Sequence, residues 1–216
     1  MQKLKLTSLL LLIPLTTNAG PMGFQDSWMS MGDTSPNWRE IFANYALTVR
    51  DAIGISQTYM LADDDSRSRS LTELTYTRLL HRWNQPESQA NLWFIGGVGD
   101  MRLHDRDTDH YSNRLALTPG IQADYETTRI YFSATHRLYR ADAINHDYSA
   151  VRAGFSFFET DYEHTQPWLI VEARSMNSLS EKAEITPMLR LINRNYFIEA
   201  GANTTGQPRF NFMLIF

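Results

Sequence analysis

The stretch RLALTPGIQADY, residues 114–125, changes character at every successive position. Its larger or apolar side chains are Leu115, Leu117, Pro119, Ile121, Ala123 and Tyr125, and the positions between them hold Arg114, Ala116, Thr118, Gly120, Gln122 and Asp124. Successive side chains of a β-strand point to opposite faces, so the pattern predicts a strand with one apolar and one polar face. The stretch is also long enough to cross a membrane as a tilted strand.

The same period of two recurs along the chain, and no stretch of useful length shows the period of a helix. It is clearest in SAVRAGFSFF (149–158), KAEITPMLRLI (182–192) and YFIEAGAN (196–203). Division at turn signals predicts strands over residues 25–33, 37–49, 52–62, 68–83, 89–102, 112–125, 128–140, 146–158, 166–175, 183–193, 195–203 and 207–216. The pattern is weaker in 25–33, 68–83 and 89–102, so that eight or ten strands remain alternatives to about twelve.

The predicted connections alternate between longer and shorter segments. TSPN, DDDSRS, HDRDTDHYS, DAINH and NSLSE alternate with RDA, NQPES, ETT and NRN, and TDYEHTQP (160–167) is a long exception on the short side. Long loops at one end and short turns at the other are typical of barrels in the outer membrane.

The first twenty residues, MQKLKLTSLLLLIPLTTNAG, have the pattern of a secretory signal peptide. Two lysines precede an apolar run that is too short to span a membrane as a helix, and small residues follow it. We therefore expect cleavage after Ala19, with residues 1–19 as the signal peptide and residues 20–216 as one domain.

Composition excludes several classes of protein. Hydrophobic residues make up 43% of the 216 residues, no other stretch approaches a helical span, and cysteine is absent, which excludes a helical membrane protein and a disulfide scaffold. A net charge of −4 argues against a nucleic-acid partner, which would require a basic face. Of the 20 basic residues only Lys3, Lys5 and Lys182 are lysines, and the excess of arginine predicts internal charge pairing.

The chain ends in RFNFMLIF, and one face of this predicted strand is apolar up to the last residue. That face consists of Phe210, Phe212, Leu214 and Phe216. Together with the signal peptide and the period-two strands, this end resembles bacterial outer-membrane β-barrels, whose last strand carries an assembly signal that ends in an aromatic residue. Size and strand count are similar to those of the small twelve-stranded channels for acidic oligosaccharides, an analogy of shape alone.

The resemblance implies an all-β, closed antiparallel transmembrane β-barrel in a Gram-negative outer membrane. A sheet in lipid must close so that every backbone donor is paired, and its outer face must be apolar. The implied partners are outer-membrane lipid and lipopolysaccharide, the barrel-assembly machinery and small solutes, and no cofactor is expected. The alternative is a secreted β-sandwich or a lipocalin-like barrel with the apolar face inward. Two aromatic girdles are predicted, from Trp38, Tyr139 and Tyr148 at one end and from Trp83, Tyr125, Tyr162 and Phe216 at the other.

If the apolar positions of each strand face outward, the alternate positions, which hold the charged residues, face the lumen. The predicted lumen residues are Glu40, Arg114, Asp124, Arg137, Arg152, Glu172, Arg174, Glu184, Arg190 and Glu199, together with Asn44, Gln122 and Arg209. These charges either select solutes in a narrow pore or pair with one another and leave a wet or closed interior. Under the first interpretation, charge reversal at Arg152 alters ion selectivity.

Two stretches offer weaker metal-binding candidates. His104, Asp105, Asp107, Asp109 and His110 could bind a divalent cation, although such a run is more often a solvated loop. The thioethers of Met22, Met29 and Met31 could bind Cu(I), although packing is the commoner role of methionine.

A lipid hydrolase would require a serine, a histidine and an orienting partner at the lipid-facing rim. His136 lies on the apolar parity, whereas Ser133 and Thr135 lie on the opposite one, and we expect no enzyme. The sequence therefore predicts a narrow passive channel or porin for small solutes, with a plugged structural or metal-binding barrel as the main alternative and a lipid-acting enzyme as a further one.

Overall fold

The computed structural model describes residues 20–161, 164–177 and 179–216, and the predicted signal peptide and Tyr162 lie outside the described residues. Within this part of the chain the regular structure is entirely strand, and no helix is long and apolar enough to cross a membrane. The strands are β1 (Trp28–Ser35), β2 (Trp38–Ala46), β3 (Asp51–Leu61), β4 (Arg67–Gln85), β5 (Ser88–Asp105), β6 (His110–Leu117), β7 (Gly120–Thr127), β8 (Ile130–Ala141), β9 (Ile144–Phe155), β10 (Gln166–Met176), β11 (Glu184–Asn193), β12 (Tyr196–Ala202) and β13 (Pro208–Ile215).

The strands form one closed antiparallel barrel. β1 pairs with both β2 and β13, and the backbone bonds between Trp28 and Phe216, at 2.8 and 2.9 Å, complete the seam. β6 and β7 lie end to end along β5, separated by Thr118 and Pro119, so the 13 segments occupy twelve positions around the barrel. Closure satisfies the backbone donors that an open sheet would leave at its edges. The predicted fold class and the preferred strand count are confirmed.

β1 begins and β13 ends at the same rim, which we call the inner end; the opposite rim is the outer end. The turns at residues 47–50, 86–87, 128–129, 156–165 and 194–195 lie at the inner end. The predicted contrast in loop length is only partly correct: the outer connections at 36–37 and 142–143 have two residues, whereas the inner one at 156–165 has ten. The strands extend into residues that the sequence pattern assigned to loops, since polar loop-like residues also pair at a strand end.

The outer face of the barrel is apolar, as the period of two predicts. Leu115 is 72% exposed and its neighbour Ala116 is 0% exposed, so adjacent residues point to opposite sides of the wall. Ile121, Val151 and Leu189 are also exposed on this face. This arrangement contradicts the secreted-barrel alternative, in which the apolar side chains face inward.

One predicted aromatic girdle is wrong. Trp38 is 2% exposed and Tyr139 is 1% exposed, and both lie inside the barrel together with Tyr148. Each lies on the same face of its strand as a charged lumen residue, as Tyr139 does with Arg137. Their inward direction could therefore have been predicted from the alternation in the sequence. At the inner end the described members Trp83, Tyr125 and Phe216 are exposed, as expected for a girdle.

Apolar clusters occupy both ends of the interior. The outer cluster consists of Trp38, Met60, Ala62, Leu71, Met101, Ala116, Tyr139, Ile144, Met176 and Leu179. The inner cluster consists of Met29, Tyr131, Trp168, Ile170, Met188, Ile192, Phe197, Met213 and Ile215. The layer between them is polar and charged, and it holds the candidate site.

Candidate functional site

Glu199 of β12 is the centre of the first charge group in the lumen. Its Oε1 accepts a hydrogen bond from Nε of Arg190 at 2.6 Å, and its Oε2 accepts one from Nη2 of Arg152 at 2.9 Å. Oε2 also accepts from Nδ2 of Asn211 at 2.6 Å. The carboxylate is fully buried, and two arginines with one amide replace the water that it loses.

The group continues across the lumen to β1. Arg152 also donates from Nε to Glu172 at 2.7 Å, and Glu172 lies 2.7 Å from Nη1 of Arg209. Arg209 in turn donates from Nη2 to Asp33 at 2.6 Å. Arg190, Glu199, Arg152, Glu172, Arg209 and Asp33 thus alternate in sign along one connected network. Three positive and three negative charges leave the network neutral.

A second group surrounds Arg137 of β8. Its Nη2 donates to Glu73 at 2.6 Å and to Thr118 at 2.9 Å, and its Nη1 lies 3.8 Å from Glu40. Glu73 is fully buried and also accepts from Ser56 at 2.8 Å. A Cβ at Gly97 would collide with the Glu73 carboxylate, so a glycine on β5 makes room for this group. Glu40 is the loosest member, because its one ion pair among the described residues, at 3.8 Å from Arg137, is longer than the hydrogen bonds that Arg137 donates to Glu73 and Thr118.

The remaining predicted lumen residues lie nearer the rims or on the opposite wall. Arg174 pairs with Glu184 and donates to Ser35 at 3.1 Å. Asp124 accepts from Nδ2 of Asn91 at 2.6 Å and from Nε1 of Trp93 at 2.7 Å. Arg114, which is on the inward parity, lies at the outer rim 3.7 Å from Asp142, outside the central layer.

Sequence reasoning missed two charged members of the site. Glu73 was missed because the long β4 carries a register shift between Leu79 and His81, which obscures the parity of the surrounding segment. Asp33 was missed because it stands at the end of the weakly patterned segment 25–33. Its inward direction follows from the parity of Met29 and Met31, which face the lumen as well.

A cavity of about 190 Å³ lies between the charge groups. Its lining includes Glu40 and Arg137 on one side and Arg152, Arg190 and Arg209 on the other. The rings of Trp38, Tyr139 and Tyr148 line it towards the outer end, and those of Phe42, Tyr131 and Phe197 line it towards the inner end. A cavity of this size, with charged groups among the aromatic rings of its lining, can hold several waters or a small solute.

The N-terminal segment, residues 20–24, enters the lumen from the inner end. Gly20 and Pro21 line the cavity, and the carbonyl of Pro21 accepts from Nδ2 of Asn44 at 2.9 Å. Met22 is 1% exposed and packs with Leu79 and Trp93. The segment therefore reduces the cross-section of the barrel near its inner mouth, a role that the sequence did not indicate.

The structure brings together two of the five residues of the predicted His/Asp site. Nε2 of His104 lies 3.0 Å from Oδ1 of Asp109, and the His104 ring stacks on Tyr111 with a centroid distance of 4.0 Å. Asp105 accepts from the backbone N–H of Thr108 at 3.0 Å, as an ordinary turn carboxylate does. Across the described residues, no group of three or more His, Cys, Asp or Glu side chains is placed to hold a metal ion.

The three candidate methionines are separated in the interior. Met29 belongs to the inner cluster, Met31 packs at the edge of that cluster, and Met22 packs in a different group beside Trp93. Their thioethers contribute to the filling of the inner end, the commoner role of methionine in a core.

His136 has a serine partner, but a different one from those weighed in the sequence. Its Nδ1 lies 2.8 Å from Oγ of Ser149 on the neighbouring β9, and both side chains are on the outer face. Ser133 and Thr135 face inward, as their parity predicts. Among the described residues no carboxylate or amide contacts the other ring nitrogen of His136, so this pair has no orienting third member.

The four residues of the predicted assembly signal lie at alternate positions at the C-terminal end of the chain, along the seam. Phe210, Leu214 and Phe216 are exposed on the outer face, and Phe212 is half-buried beside Gly32 of β1.

No family model matches the sequence, and no curated protein matches it. Among solved structures, the chain is similar to a KdgM porin in complex with disordered oligogalacturonate, with a TM-score of 0.47 and 12% identity over 88% of this chain and 98% of that one. A structure of the KdgM porin gives a TM-score of 0.46 at 11% identity over the same shares of the two chains. A loop-deletion mutant of OmpT, an outer membrane protein of Vibrio cholerae, gives 0.31 at 9% identity over 88% of this chain and 98% of that one.

Proposed function

We propose that this chain is a narrow passive channel of the outer membrane that admits small solutes. The observation that carries the proposal is the cavity of about 190 Å³ inside a closed barrel, lined by charged side chains while the outer wall is apolar. A barrel with twelve strand positions is wider than an eight-stranded one, whose side chains fill the interior. The described interior is narrow nevertheless, because apolar clusters and residues 20–24 occupy its ends.

The paired charges favour modest selectivity. The network from Arg190 to Asp33 is neutral and its members hold one another in place, so it acts chiefly as internal structure. Glu40 is held least tightly, and its side chain is 22% exposed to the cavity. We infer that Glu40 contributes more to the choice of ions than the fully buried Glu73 and Glu199 do.

The outer mouth carries acidic loops that would attract cations at low ionic strength. Asp63 and Asp64 lie in the loop between β3 and β4, and Asp107 and Asp109 lie between β5 and β6. Ser66 donates to Asp64 from both Oγ and N, which holds the pKa of that carboxyl below its usual range. This charge therefore persists when the medium becomes mildly acidic.

The localisation proposal includes the cleavage of residues 1–19 and contact with outer-membrane lipid, lipopolysaccharide and the assembly machinery. The exposed apolar wall and the apolar C-terminal parity support it. If the terminal aromatic residue is the assembly signal, deletion of Phe216 lowers the amount of barrel in the membrane fraction. An unchanged amount would contradict that role.

Flux through proteoliposomes tests the channel. Purified, refolded protein should release entrapped ions and the smallest sugars, and it should retain larger oligosaccharides because the cavity is small. Liposomes without protein are the control, and heat-modifiable gel mobility verifies folding. Retention of both ions and small sugars by liposomes that contain folded barrel would favour the plugged structural barrel instead.

A further inference from the structure

The outer surface of the barrel bears an amphipathic groove over β13, β1, β2 and β3. Its volume is about 320 Å³, and we call it the Gly32 groove. Gly32, Ile41, Phe210 and Phe212 form its floor, Thr34, Arg39, Gln57 and Tyr59 form its head, and Asp33 and Glu40 complete the lining. The floor and head residues lie on the outward parity, whereas the side chains of Asp33 and Glu40 pair with Arg209 and Arg137 inside the barrel, so the groove lies on the outer side of the wall.

The floor exists because β1 has a glycine at this outward position. Gly32 pairs with Phe212 on one side and with Ile41 on the other. A Cβ at Gly32 would collide with the Phe212 ring, which lies across the glycine. The Phe212 ring therefore fills the space that a side chain at position 32 would take, and it forms an apolar floor beside Ile41 on which an acyl chain can lie.

The head of the groove carries a cation that lacks a carboxylate partner. Arg39 is exposed, and its guanidinium lies over the Tyr59 ring at 5.7 Å. No carboxylate of the described residues forms an ion pair with it, whereas the outward Arg78 pairs with Asp51 at 3.1 Å. Stacking on a ring leaves the N–H donors of the guanidinium available to an anion.

The direction of the groove matches that of a lipid in the outer leaflet. β2 begins at the outer end, so Arg39 lies near that rim, and Ile41 and Phe212 lie deeper in the wall. Gln57 pairs with Ile41 beside the head, and β4 holds its amide in place: Nε2 donates to Ser70 at 2.9 Å, and Oε1 accepts from Thr72. A second outer groove around Gly96 has no charged residue in its lining and offers nothing to a headgroup.

We propose that the Gly32 groove binds one molecule of a phosphorylated glycolipid of the outer leaflet, a lipopolysaccharide, with a phosphate on Arg39 and an acyl chain along Phe212 and Ile41. The planar guanidinium can donate two parallel hydrogen bonds to phosphate oxygens. This inference rests on the proposed outer-membrane localisation and not on the channel activity.

Native mass spectrometry of the refolded barrel in detergent tests the site. The probes are lipid A with its phosphates, dephosphorylated lipid A and phosphatidylglycerol. We expect one tightly bound phosphorylated lipid A per barrel, with at least tenfold weaker binding of the other two lipids. Equal affinity for dephosphorylated lipid A, or for phosphatidylglycerol, would overturn the proposal.

Two variants locate the binding. Arg39→Glu should weaken the binding of phosphorylated lipid A at least tenfold, and the matched control Arg102→Glu should change it less than twofold. Arg102 is also an outward arginine over a tyrosine, 4.5 Å from the Tyr111 ring, but it lies outside the groove. Unchanged binding by Arg39→Glu, or equal loss in both variants, would contradict a specific site.

Bilayer conductance of Arg39→Glu should equal that of the unmodified protein, so a failed channel and a failed lipid site give different results.

Discussion

At the scale of single residues, Glu199 and Glu40 are examples of two kinds of charge in the lumen, one structural and one that acts on passing ions. Glu199 is fully buried and accepts hydrogen bonds from two arginines and Asn211. Glu40 has one ion pair at 3.8 Å and faces the cavity. Removal of one partner from a buried pair leaves the other charge uncompensated, whereas the loss of a loose pair costs little.

We therefore predict different effects for two matched substitutions: one should chiefly lower stability, and the other should chiefly change ion selectivity. Glu199→Gln should lower the free energy of unfolding in detergent by about 3 kcal/mol, because Arg190 and Arg152 lose their shared anion. Glu40→Gln should change stability less and should shift the reversal potential in a salt gradient towards anions. Equal destabilisation by both, or an unchanged reversal potential for Glu40→Gln, would contradict the distinction.

The same residues show how far sequence reasoning reaches. Parity gave the inward direction of Arg152, Glu172, Arg190 and Glu199, because one apolar face must meet lipid. It could not give their partners, since the bond from Arg152 to Glu199 crosses from β9 to β12 and depends on the side-chain geometry inside the barrel. Charge reversal at Arg152 is a poor test of selectivity, because it would place a third carboxylate between Glu172 and Glu199 and disrupt the network.

At the scale of elements, most strand boundaries could be predicted, and the element of greatest functional interest could not. The segment 112–125 was predicted as one strand, and it forms β6 and β7 on either side of Pro119, which has no N–H to pair. Residues 20–24 carry no periodic signal, because their position inside the lumen depends on contacts with Asn44, Leu79 and Trp93 of three other strands.

The N-terminal segment gives a prediction of its own. Deletion of residues 20–22 should raise single-channel conductance at least twofold, because it removes groups that line the cavity near the inner mouth. Phe24→Ala is the matched control, since Phe24 is 51% exposed and belongs to the same segment. The chain has no cysteine, so Met22→Cys can report burial by its slow reaction with a water-soluble thiol reagent. Equal conductance of the deletion and the control would place the segment outside the conduction path. Rapid labelling of Met22→Cys would contradict the packing of Met22 against Leu79 and Trp93.

At the scale of the whole molecule, the wall and the interior have opposite character. The wall exposes Leu115 and Val151 to the surroundings, and the interior encloses a neutral network of arginines and carboxylates around the central cavity. Seam closure between β1 and β13 makes this arrangement possible, because it pairs the two edges that an open sheet would present. A barrel of this kind is stable in a membrane, and its interior can hold water.

Single-channel recording of the purified wild-type protein in a planar bilayer tests the central claim most directly. We predict stepwise insertions with a small conductance and a modest preference for cations at low salt, which weakens as salt screens the acidic loops at the outer mouth. Protein that shows heat-modifiable mobility and inserts into the bilayer, but produces no conductance steps above the lipid background, would contradict the channel.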